Sequence, residues 1–83
     1  MTFAEAANRY LTEERQRGKA SLATENYLLI PVVEMIGDLP LDQIYDGTLR
    51  RFIDRRLEQG RAAKTVNLSL GVVRHILNVA ARK

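Results

Sequence analysis

Eighty-three residues, 46% apolar, 28% charged and without cysteine, suffice for one small domain with a single core, and they exclude a second domain, disulfide staples, thiolate metal centres and cysteine nucleophiles. The formal net charge of +3 joins two unlike halves: residues 1–46 carry four basic against eight acidic residues, −4, and residues 47–83 nine basic against two acidic, +7. A basic half on so small a domain is the footprint of an anionic partner, and the longest uninterrupted apolar stretch, residues 27–33, is too short for a membrane span and contains a proline.

The first element is an amphipathic helix, because Phe3, Ala6, Ala7, Tyr10 and Leu11 follow helical spacing. Thr2 and Glu5 make a capping box in which hydroxyl and carboxylate each satisfy a free amide of the first turn, and Gly18 closes the segment. A second helix is expected from Ser21, a good N-cap, through Leu22, Tyr27, Leu29, Ile30, Val33 and Ile36 to Gly37. Pro31 cannot donate to the carbonyl of Tyr27, so a kink or two short helices are expected there. Gly37, Asp38, Leu39 and Pro40 form a turn, after which Leu41 and Ile44 reach back to the core. Asp46 is expected to cap a third helix with Leu49, Phe52, Ile53 and Leu57 on one face and Gly60 as its stop. A fourth helix follows, from about residue 64 to 82. The expected fold is all-α, a compact four-helix bundle in one domain spanning residues 1–83.

Projected at roughly 100° per residue, the last helix turns Val66, Leu70, Val73, Leu77 and Ala80 toward the core. Lys64, Asn67, Gly71, Arg74, Asn78 and Arg82 fall within an arc of about 80° on the other side. Every member of that stripe except glycine carries a donor suited to phosphate oxygens or base edges. Glycine inside a helix costs about 1 kcal/mol against alanine, so Gly71 points to close approach by a partner or to tight helix packing, and its place on the stripe favours the first. No Asp or Glu occurs between residues 64 and 83, whereas a merely solvated face mixes both signs. Lys64, Thr65 and Asn67 also stand beside the free amides of the helix start, with an N-cap as the rival role of Thr65.

Elsewhere the signals are weaker. Arg50, Arg51, Arg55 and Arg56 cluster in the third helix, but Asp54 and Glu58 stand at contact spacing, so internal pairing is expected for much of that charge. Lys19, Ser21 and Thr24 offer a cation, hydroxyls and free amides at the start of the second helix, although Ser21 serves equally as an ordinary cap. His75 has no carboxylate or second histidine nearby in its helix, and Tyr10, Tyr27 and Tyr45 are expected in core or boundary packing. No glycine-rich phosphate loop, Ser-His-Asp set or metal-ligand spacing is present, so no catalytic residue, metal or cofactor is assigned.

In chain order these segments resemble the N-terminal core-binding domain of tyrosine recombinases, the SAM-like domain of phage integrases. Residues 2–11 (TFAEAANRYL) look like its opening helix and residues 36–44 (IGDLPLDQI) like the turn between its second and third helices. Residues 52–56 (FIDRR) followed by Gly60 look like the third helix. Residues 63–70 (AKTVNLSL), continuing through His75, Ile76, Leu77, Asn78, Val79 and Ala80, are similar to the fourth helix, often written Ser-x-x-Thr-Val-Asn-Arg. The resemblance implies a bundle that clamps one face of double-stranded DNA, with its second and fourth helices toward the major groove, while a following catalytic domain holds the other face. It supports Lys64, Thr65 and Asn67, with Lys19 and Thr24 on the second-helix surface; Leu68 stands where the family often has arginine. It further implies a non-catalytic module of a cytoplasmic, nucleoid-associated recombinase whose protomers assemble on DNA. The alternative from another class is a helical protein-interaction module, and a solitary helix-turn-helix regulator ranks behind both.

Overall fold

The computed structural model describes residues 1–81. They form α1 (Phe3–Gln16), α2 (Leu22–Ile36), α3 (Asp46–Glu58) and α4 (Ala63–Ala81), with a single 3-10 turn at Leu41–Gln43. The all-α four-helix bundle read from the sequence is the observed architecture.

Local chemistry sets the element ends. The Glu5 amide donates to Thr2 Oγ1 at 3.3 Å, and the Thr2 amide donates to Glu5 Oε1 at 3.1 Å, closing the capping box. The Thr2 amide, and then the Thr2 hydroxyl donating to the same Oε1 at 3.1 Å, hold the Glu5 carboxyl below its ordinary range. Gly18 and Gly60 follow α1 and α3 with φ of 76° and 82°, the left-handed geometry that a side chain resists. Asp46 does not cap α3; it is the first residue of that helix, and Tyr45 takes the cap position without a side-chain bond. Thr48 instead ties the start of α3 to the preceding turn, its hydroxyl donating to the Gln43 carbonyl at 3.1 Å.

α2 runs unbroken through Pro31, so the expected division into two short helices does not occur. Leu28 and Leu29 before the proline and Val32 and Ile36 after it are buried in the bundle. That shared packing outweighs the one missing hydrogen bond. Tyr27, whose carbonyl loses its partner, lies at the surface, where water can serve it.

The largest fully buried side chains are Phe3, Phe52, Leu29, Ile76, Val32 and Val73, drawn from all four helices. α4 packs against each of the other three, and Leu41 and Ile44 lie partly buried against the core as expected. Burial departs from expectation at Tyr27, Ile30, Val33, Tyr45 and Leu57, all of which are exposed. On α2 the chain offers more apolar residues than one face can bury. Leu28, Leu29, Val32 and Ile36 win the inward positions.

The chain start is stitched to the turn after α2. The Phe3 amide donates to the Leu39 carbonyl and the Ala4 amide to the Gly37 carbonyl, both at 2.9 Å, while the Leu41 amide donates to the Met1 carbonyl at 3.1 Å. Thr2 and Pro40 thereby form an isolated antiparallel bridge, a position where proline is tolerated because no donor is asked of it. Among the described residues no helix is long and apolar enough to cross a membrane.

Candidate nucleic-acid interface

α4 separates a buried apolar side from an exposed polar one, with Leu68 as the large apolar residue left outside. Val66, Ser69, Leu70, Val73 and Ile76 are buried and Leu77 and Ala80 half-buried, while Lys64, Asn67, Gly71, Arg74 and Asn78 are all exposed. Ser69 was not expected inside. It stands three residues after Val66 and four before Val73, on the same buried face, and its hydroxyl donates to the Leu28 carbonyl at 2.9 Å, joining α4 to α2. Among the described residues Lys64 and Arg74 enter no ion pair. Arg82, the last member of the sequence stripe, lies outside the described residues.

A Cβ added at Gly71 would meet nothing within 4 Å. Tight helix packing therefore does not account for this glycine, and the space above it is open. Thr65 is half-buried and inside the first turn of α4, which begins at Ala63, so it is not the N-cap.

The start of α2 has a different character. Lys19 Nζ donates to the Tyr10 hydroxyl at 2.7 Å and pairs with Glu25 Oε2 at 2.9 Å. The Tyr10 hydroxyl donates to Glu25 Oε1 at 2.6 Å, and Ser21 Oγ donates to Glu25 Oε2 at 2.9 Å. The ring of His75 meets Tyr10 edge-on with centroids 5.4 Å apart. The hydrogen bond to Tyr10, followed by that to Glu25, holds the Lys19 ammonium above its ordinary range. Burial pushes the Glu25 carboxyl upward, but the bonds from Tyr10, Lys19 and Ser21 outweigh it and hold the group low. Burial, joined by the bond to Glu25, raises the Tyr10 phenol. The charge of Lys19 is thus countered within the fold, and Ser21 takes the N-cap position of α2 as expected, with its hydroxyl on Glu25 rather than on a free amide of the first turn. Thr24 is exposed. Lys19 and Gly71 line one shallow groove of about 280 Å³ together with Glu25, Leu68 and His75, so the two surfaces singled out in the sequence meet.

The pairing expected within α3 is not formed. Arg50, Arg51 and Arg55 are exposed, and none is paired with Asp54 or Glu58. A surface pair of this kind contributes only about 0.2–0.5 kcal/mol, too little to immobilise two long side chains. Arg56 donates to Gln59 Oε1 at 2.9 Å. With Arg61, Thr65 and Tyr27 it lines a second groove, of about 410 Å³, beside the start of α4. Sequence reasoning missed Arg61 and Tyr27 as neighbours, since only the packing of α2 on α4 brings them together.

Among the described residues no group of three or more His, Asp or Glu side chains is arranged to hold a metal ion. Comparison of the chain with family models, with curated proteins and with solved structures finds no match.

Proposed function

We propose that this chain is a DNA-binding module of the kind tyrosine recombinases use as a core-binding domain, laying the outer face of α4 against duplex DNA. The observation that carries the reading is the exposed, acid-free stripe of Lys64, Asn67, Gly71, Arg74 and Asn78, whose cations have no ion-pair partner among the described residues. Lys64 and Arg74 supply charge for phosphates, and Arg74 can also bridge the acceptor edge of guanine. Asn67 and Asn78 match the donor-acceptor edge of adenine. The open space above Gly71 admits the duplex closely. Thr65 in the first turn of α4 and the exposed Thr24 on α2 add hydroxyl donors, while Lys19 and Ser21 hold the start of α2 in place through Glu25. Strand exchange belongs to a catalytic domain of the same parent protein, and this module contributes affinity and register.

The test is a salt titration of binding to duplex DNA by the wild type and by Lys64→Ala/Arg74→Ala. Each lost phosphate contact lowers the slope of log K against log salt by about 0.9, so the double variant binds more weakly with a slope shallower by about 2. Unchanged affinity and slope overturn the reading. The exposed Tyr27, Ile30, Val33 and Met35 favour a second reading, a protein-interaction module. In that case an acidic polypeptide competes with the duplex on equal terms.

A further inference from the structure

The groove between α2, the end of α3 and the start of α4 is not occupied by the α4 stripe. Its volume of about 410 Å³ falls within the roughly 300–1,000 Å³ of sites that take small ligands. Tyr27, Ile30, Glu34, Arg56, Arg61 and Thr65 are among its lining residues. Tyr27 is 68% exposed, an unusual place for a large ring that has much to gain from being covered. Arg61 is exposed, and neither Arg61 nor Arg56 is ion-paired among the described residues. Arg56 uses one guanidinium nitrogen on Gln59 and keeps its other donors. Glu34 is the lone carboxylate of the lining, so two arginines against one glutamate leave a net charge of +1.

An exposed aromatic ring that shares a groove with arginines is the combination that receives unpaired bases. The base stacks on the ring, and its phosphate meets the cations. A base inside a duplex cannot use such a platform, because its faces are already stacked on its neighbours. The groove also adjoins the stripe: Thr65 lines it, and Lys64 is the preceding residue of α4. A strand that leaves the duplex at the start of α4 therefore runs into it.

We infer that this groove takes an unpaired nucleotide, with its base on Tyr27 and its phosphate held by Arg56 and Arg61. The inference rests on the DNA-binding reading and extends it from intact duplex to DNA whose strands have partly separated. Glu34 adds an acceptor for a base amino group, the role carboxylates take toward cytosine.

The experiment compares, by fluorescence anisotropy with the full 83-residue chain, an intact duplex with the same duplex carrying a short bulge of unpaired nucleotides. Wild type binds the bulged DNA about five- to tenfold more tightly, the low end of what base stacking on an aromatic residue contributes. Tyr27→Ala loses that preference, keeps its affinity for the intact duplex and melts as the wild type does, because the side chain is exposed. Tyr27→Phe restores the preference. Equal wild-type affinity for the two DNAs, or a preference that survives in Tyr27→Ala, overturns the groove assignment and leaves the duplex reading standing. Failure to bind either DNA overturns both.

Discussion

α2 and α4 lie against each other, yet they differ in what they leave outside. α4 turns its large apolar residues inward with the exception of Leu68 and exposes a polar stripe, whereas α2 buries Leu28, Leu29, Val32 and Ile36 and still exposes Tyr27, Ile30, Val33 and Met35. A helix whose apolar residues fill only one face has its orientation written into its own spacing. A helix with a surplus is oriented by its neighbours. For α2 the orienting contacts include the Ser69 hydroxyl on the Leu28 carbonyl and the packing of Leu29 and Val32 in the shared core.

Adjacent residues of α2 provide the largest contrast. Leu29→Ala should cost about 2–5 kcal/mol, while Ile30→Ala should change stability by less than about 0.5 kcal/mol. Urea unfolding of the two variants measures this, and equal losses would mean that α2 faces the core differently. The next effect tests the start of α2. Glu25→Gln should cost about 1–3 kcal/mol near neutrality, as expected for loss of hydrogen bonds to a charged group. Because the fold holds the Glu25 carboxyl below its ordinary value of 4.5, its contribution is complete above that pH and disappears as pH falls through the folded value. The wild type should lose stability in that acid window more steeply than Glu25→Gln. The fold raises both Tyr10 and Lys19, so their contribution is present below about pH 10 and lost as pH rises beyond it.

Two smaller changes address α4. Ser69→Ala removes the bond that joins it to α2 and should cost about 1 kcal/mol in thermal unfolding. Gly71→Ala should have the opposite sign, raising stability by about 0.5–1 kcal/mol, because alanine suits a helix better and the added methyl meets nothing. The same methyl should weaken binding to duplex DNA. Greater stability with undiminished affinity would remove Gly71 from the interface.

Where local chemistry decides, the structure was legible in advance. The Thr2–Glu5 capping box, the stops at Gly18 and Gly60, and the inward face of Val66, Leu70 and Val73 all follow from residues within a few positions of one another. Lys19 was legible only as a cation. Its partners are Tyr10, nine residues earlier, and Glu25, which itself reaches Tyr10 across fifteen positions. No helical spacing announces that cluster; the return of α2 beside α1 creates it. The α3 arginines show the converse, since favourable spacing to Asp54 and Glu58 produced no pair where nothing fixes the side chains.

The bridge between Thr2 and Pro40 bears on how the molecule comes apart. Chain ends ordinarily fray first, but here the amides of Phe3, Ala4 and Leu41 are all engaged in a seam between the opening residues and the middle of the chain. Their protons should exchange with deuterated solvent on the slow timescale of the interior, and unzipping has to begin elsewhere.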